Sequence, residues 1–142
     1  MTVDTRLRVG LWFLIASGIV VGAWAQFFPQ AFYDSFPGLG RSWVSVDGPF
    51  NEHLVRDVGG LYLALSAVTL IAVFAKTRET VLAAALGWLV SQIPHFTYHL
   101  AHLHVYTSML DKIGNVLTLG LLVLVPAYVF VRAIRHKPQY RL

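Results

Sequence analysis

Hydrophobic positions in this chain do not alternate with polar ones but run together in long blocks. Four windows contain no Asp, Glu, Lys or Arg: 9–28, 58–75, 81–110 and 113–131. Each is about the ~18–20 residues needed to cross the hydrocarbon core of a bilayer, and the third is longer. The pattern predicts an all-α fold, a four-helix transmembrane bundle running up-down-up-down, with spans over about 9–28, 54–75, 81–103 and 113–132 in one integral membrane domain covering 1–142. Pro94 and Pro126 fall inside the third and fourth spans, where a missing N–H should kink each helix or free a carbonyl. Gly18-x-x-x-Gly22 in the first span and Gly59-Gly60 in the second are places where a neighbouring helix can come close.

The only long connection is 29–52. It holds turn formers (Pro29, Pro37-Gly38, Gly40, Gly48-Pro49) and aromatics (Phe32, Tyr33, Phe36, Trp43, Phe50). One reading makes it an interfacial segment with its rings at headgroup level. The other makes it a lid over the bundle mouth, since a loop of this length usually has a task.

Composition agrees with the pattern. Of 142 residues, 56% are hydrophobic and 13% charged, against about a quarter charged in an ordinary soluble domain. There is no cysteine, which excludes disulfides, thiolate–zinc sites, iron–sulfur clusters, c-type haem attachment and a Cys nucleophile. No P-loop, nucleotide-binding glycine motif or Ser/His/Asp signature is present. The charges are sorted by segment. Arg6, Arg8, Lys76, Arg78, Arg132, Arg135, Lys137 and Arg141 flank one side of the predicted bundle; Arg41, Arg56 and Lys112 flank the other. The positive-inside rule then places both termini in the cytoplasm of a multi-pass cell-membrane protein. The net charge of +4 is therefore a membrane flank and not a nucleic-acid surface. The bilayer is the expected partner; a protein partner or a second copy is left open. Arg6, Arg8, an apolar run and Ala23-Trp24-Ala25 also fit a cleaved signal peptide, but the uncharged stretch continues to Phe28, longer than such peptides need.

The acids and histidines collect at the opposite, outer end: Asp34, Asp47, Glu52, Asp57 and Asp111, with His53, His95, His99, His102 and His104, while Asp4, Glu79 and His136 stay inside. At helical spacing His95, His99 and His102 form one stripe about 10 Å long, extended inward by Ser91, Gln92 and Trp88. At the start of the second span Glu52 and Arg56 are i,i+4 neighbours, and His53, Asp57 and Gly60 share the adjacent face. The fourth span adds Asp111, Asn115 and Thr118 on one stripe. Ionisable groups at membrane depth are costly and mark pairs or sites. Three readings follow. A metal site takes His53, His99 and His102, closed by Glu52 with Asp57 behind it, a set suited to Zn, Fe or Cu and to redox or metal-assisted hydrolytic chemistry. A b-type haem takes one histidine from each of two helices, His53 against His95 or His99. A structural network joins the histidines to Asp57, Asn115 and Tyr98, with Arg56 and Asp111 as helix-mouth pairs, in a non-catalytic subunit or a module binding a small ligand such as a quinone.

The run Trp43-Val44-Ser45-Val46-Asp47-Gly48-Pro49-Phe50-Asn51-Glu52-His53-Leu54-Val55-Arg56-Asp57-Val58-Gly59-Gly60-Leu61-Tyr62, with Pro94-His95-Phe96-Thr97-Tyr98-His99 and Asp111-Lys112-Ile113-Gly114-Asn115, resembles a group of small uncharacterised bacterial membrane proteins. In layout alone the four spans are similar to the DoxX-like family. That resemblance implies the architecture; DoxX is linked to a quinone-reducing oxidoreductase, and no motif here carries that activity across.

Overall fold

A computed structural model describes residues 5–75 and 77–135. Asp4, Lys76, His136, Lys137 and Arg141, which contribute to the charge asymmetry, lie outside the described residues. The order of elements is α1 (Thr5–Phe27), α2 (Pro29–Ser35), β1 (Pro37–Gly38), β2 (Arg41–Ser42), α3 (Glu52–Ala75), α4 (Arg78–Ala101), a 3-10 turn (Leu103–Val105) and α5 (Met109–Arg135). The fold is all-α apart from the two-residue hairpin strands, which pair antiparallel with Pro37 opposite Ser42.

Two of the long helices begin at side-chain caps, a few residues ahead of the spans expected from the uncharged windows. Asn51 caps α3 by accepting the Leu54 N–H, and Thr77 caps α4 by accepting that of Thr80. Pro94 and Pro126 sit within continuous α4 and α5. Beside Pro94, the Thr97 hydroxyl donates to the Ile93 carbonyl at 2.8 Å. Three helices, α1, α3 and α5, are long and apolar enough to cross a membrane. The 24 residues of α4 have the length, but Ser91, Gln92, His95, Thr97, Tyr98 and His99 make its second half polar.

The long helices run antiparallel to their neighbours as two close pairs, α1 with α3 and α4 with α5. Glycine makes the first pair possible. A Cβ on Gly22 would lie 2.9 Å from the Gly59 carbonyl oxygen, and one on Gly59 would lie 2.5 Å from the Gln26 amide nitrogen. The two glycine motifs thus meet each other, backbone against backbone. At the end where α1 begins and α5 ends the two pairs join. Leu7, Leu11 and Ile15 of α1, Ala72 and Val73 of α3, Val81, Ala84 and Ala85 of α4, and Val129 and Ala133 of α5 form one buried core. Arg78 closes that end by donating to the last carbonyls of α5, Ala133 at 3.1 Å and Ile134 at 3.4 Å. Midway, Leu14, Tyr62, Trp88 and Leu122 make a second cluster. There the buried Trp88 indole donates to Thr69 Oγ1 at 2.9 Å, and Tyr62 and Gln92 bond across α3 and α4. Beyond this level the pairs part.

Candidate functional site: a roofed cleft between the helix pairs

Where the pairs part, a cavity of about 1020 Å³ opens above the Tyr62–Leu122 floor. That is at the top of the roughly 300–1,000 Å³ range of ligand pockets. Its walls are mostly apolar: Phe13, Val20 and Val21 from α1, Val55 and Val58 from α3, Leu119 from α5. Polar residues enter at the loop end, namely Asp47, His95, Tyr98, His99 and Asn115.

The connection 29–51 builds the roof. Pro29 starts α2, which returns Phe32 to the bundle, and the hairpin then brings back Trp43. Gly38 and Gly40 take positive φ, as does Leu39 at the tip between them (φ 58°). Aromatic rings run across the top without a break: Trp24 to Phe32 at 6.0 Å, Phe32 to Phe36 at 4.7 Å, Phe36 to Trp43 at 6.3 Å and Trp43 to Tyr106 at 6.4 Å between centroids. The roof is pinned to α5 through one carboxylate. Asp111 Oδ1 accepts the Trp43 indole N–H at 2.8 Å and also the Arg41 guanidinium. Trp43 can lie flat against α5 because position 114 is glycine; a Cβ there would meet its ring at 3.1 Å.

Tyr106 is the hub under the roof. Its hydroxyl donates to the Trp43 carbonyl at 3.3 Å, accepts from Asn115 Nδ2 at 3.1 Å and lies 3.3 Å from His99 Nδ1. Burial first, then the fields of Asp47, Asp111 and Tyr98, push its phenol from 10.0 up to about 12. It stays neutral at any physiological pH. One cavity-lining group is left unsatisfied: Asn115 Oδ1 is buried with no hydrogen-bond partner among the described residues. A buried polar atom of this kind is expensive in apolar surroundings unless something fills it. His95, which is exposed, meets His99 edge-on at 4.7 Å.

The residues expected to form a metal centre do not come together. His53 is 85% exposed and bonds Asp57 at 3.3 Å, on a side of α3 that does not line the cavity. Glu52 is held by Arg56 at 2.9 Å, and Arg56 also donates to the Gln26 carbonyl, tying α3 to the end of α1. His102 turns its Nδ1 to the Tyr98 carbonyl at 2.8 Å and stacks on Tyr98. Among the described residues no group of three or more His, Asp or Glu side chains is placed to hold a metal ion. The zinc, iron or copper reading, with His53, His99, His102 and Glu52 as ligands, finds no support in this arrangement of the described residues. The physical reason is local: each i,i+4 partner on α3 satisfies its neighbour at the helix mouth, so nothing turns these side chains inward. The histidine pair proposed for a haem is likewise not brought together at the cavity: His95 and His99 line it and His53 does not.

The α3 pairs Glu52–Arg56 and His53–Asp57 form as spacing predicts, and His99, Asn115 and Asp111 do join one polar network. The network's centre was not legible. Tyr106 follows the third span without a periodic signal, and Arg41, Trp43 and Asp47 belong to a connection whose return path only packing sets. Comparison with family models, with curated proteins and with solved structures finds no match, so no activity passes to this chain from a relative.

Proposed function

We propose that the chain is a four-span membrane protein with cytoplasmic termini that binds a small amphiphile in the cleft between its helix pairs. Membrane residence is supported by outward faces that are apolar all round the helices, with Val9, Phe27, Ile71, Phe74, Val90 and Leu124 among many exposed large side chains. As the fourth span, α4 keeps its polar half on the cavity and network side, where His95 and His99 have company. Orientation follows from the basic flanks. Because the chain has no cysteine, single cysteines can be introduced at Thr107 and Thr80. Thr107→Cys should react with an impermeant maleimide in intact cells, and Thr80→Cys only after lysis. The reverse pattern refutes the orientation.

Binding is supported above all by one observation: an apolar cavity of ligand size carries a buried, unsatisfied polar atom, Asn115 Oδ1, at the end where His95, His99 and Asp47 also line it. That is the profile of a site for a molecule with an apolar body and a hydrogen-bonding head. Walls from all four long helices hold the body, the roof covers part of the head end, and the Tyr106 hub keeps His99 and Asn115 in position. The apolar walls and the few convergent polar groups of the cavity are what favour binding. The test is mass spectrometry of the organic extract of protein purified in mild detergent. A defined amphiphile should co-purify with the native chain. It should be depleted several-fold in His95→Phe with His99→Phe, a pair that fills the head region with carbon. Equal content in both proteins refutes the site.

A further inference from the structure

We infer that the head group this cleft takes is cationic, and that the ligand is a lipophilic cation entering sideways from the bilayer. The inference rests on the amphiphile-binding reading and adds the sign of the head group and the route. Among the acids at the loop end, Asp111 is paired with Arg41, Asp57 with His53, Glu52 with Arg56, and Asp34 accepts from Gln30. Asp47 differs. Its carboxylate makes no ion pair or hydrogen bond among the described residues, and it is the one charged side chain that lines the cavity. Among the described residues no Lys or Arg lines the cavity with it; the basic side chains that do are the imidazoles of His95 and His99. Arg41, the nearest basic residue in the roof, is spent on Asp111. A carboxylate at the rim of an apolar cleft attracts a cation and repels an anion, and the low-dielectric walls strengthen both effects.

The rings that line the same cleft suit the same partner. Phe36, Trp43 and Tyr98 line the cleft at this end, and aromatic faces attract ammonium groups through the ring quadrupole. A carboxylate beside aromatic walls, with apolar space beyond, matches an alkylammonium: charge at the rim, chain toward Val58, Leu119 and Leu122.

The route follows from which edges of the cleft are open. On one flank α1 touches α5 at Gly10, against Val125 and Val129, and farther along Val20 and Leu121 line the cleft while 62% and 48% exposed. On the other flank Tyr62 and Gln92 join α3 to α4, and beyond them Leu54 and Tyr98 line it while 59% and 47% exposed. Both edges are apolar and sit at the depth of the helices, whereas the water side is covered by the aromatic roof. A ligand dissolved in hydrocarbon reaches the cleft without moving the roof.

Three amphiphiles of one chain length decide the matter: dodecyltrimethylammonium, dodecanol and dodecyl sulfate, each titrated against tryptophan fluorescence of the full chain in lipid nanodiscs. Dodecyltrimethylammonium should saturate the signal and bind about tenfold or more tighter than dodecanol, with dodecyl sulfate weakest. Asp47→Asn should erase the cation's advantage while leaving dodecanol binding unchanged; Asp47 is exposed, so the fold is not at stake. Asp47→Glu should restore the preference. If dodecanol or dodecyl sulfate binds as tightly as the cation, or Asp47→Asn keeps the preference, the cationic head is refuted and the amphiphile site stands. If none of the three binds saturably, both readings fall. Bulk at both edges tests the route: Val20→Trp and Leu121→Trp on one flank combined with Leu54→Trp on the other should slow dodecyltrimethylammonium uptake several-fold, and unchanged uptake refutes lateral access.

Discussion

Adjacent glycines on α3 should respond in opposite directions to the same added methyl group. In Gly59→Ala the new Cβ would sit 2.5 Å from the Gln26 amide nitrogen and 2.9 Å from both Gln26 Cα and the Gly22 carbonyl oxygen, against 3.4 Å for ordinary contact. All three are backbone atoms, so no rotamer change relieves the clash, and α1 and α3 must separate by about 0.9 Å. A gap of ~0.5–1 Å forfeits roughly a quarter to a half of the dispersion attraction of every atom pair it opens. That attraction is what joins helices in a bilayer. Overpacking of this kind typically costs ~1–3 kcal/mol, and an immovable backbone neighbour points to the upper half. The better helix propensity of alanine returns up to ~1 kcal/mol, leaving a net loss of about 1–2 kcal/mol. In Gly60→Ala the nearest atom is Gln26 Oε1 at 3.6 Å, an ordinary contact with the end of a flexible side chain. Only the propensity gain applies, so that variant should be as stable as the native chain or up to ~1 kcal/mol more so. Equilibrium unfolding in mixed detergent, followed by circular dichroism, measures both. Equal midpoints, or Gly59→Ala the more stable, would refute the close backbone contact of α1 and α3.

Asp111→Ala strips the Trp43 indole and the Arg41 guanidinium of their common acceptor. The roof should loosen, with faster proteolysis within 37–51 and red-shifted Trp43 emission as the readouts, and unchanged proteolysis and emission would refute the clamp. Tyr106→Phe should cost about 1–3 kcal/mol, since Asn115 would then be unpaired at both ends of its amide; an unchanged unfolding midpoint would mean the hub is ornamental. Ultraviolet titration of the native chain minus Tyr106→Phe should show one phenol ionising near pH 12. Because that value lies above the ordinary 10.0, the neutral phenol's contribution to stability is complete below pH 10 and is lost as pH rises toward 12. Thr69→Val, equal in shape, leaves the buried Trp88 N–H without an acceptor and should destabilise by about 1–3 kcal/mol in unfolding assays; a neutral result would deny that bond.

Much of the architecture is written in one dimension. Uncharged blocks, Asn51 and Thr77 at helix starts, and glycines at 18, 22 and 59 are local or periodic signals, and they specify the long helices and where two of them touch. The pairs on α3 are equally local, because residues four apart on a helix are neighbours whatever the rest of the chain does. Beyond that, spacing misleads. It puts His53 level with His99 and His102, yet cannot tell that Asp57 and exposure hold His53 off the cleft. The hub at Tyr106 and the Asp111 clamp on Trp43 and Arg41 join residues roughly 60–70 positions apart. No helical period connects them. They meet because the two helix pairs close at one end and splay at the other, leaving a space that the only long connection folds back to cover. Depth and sequence order were enough to bring polar groups to one end of the molecule; which of them face one another is a property of packing.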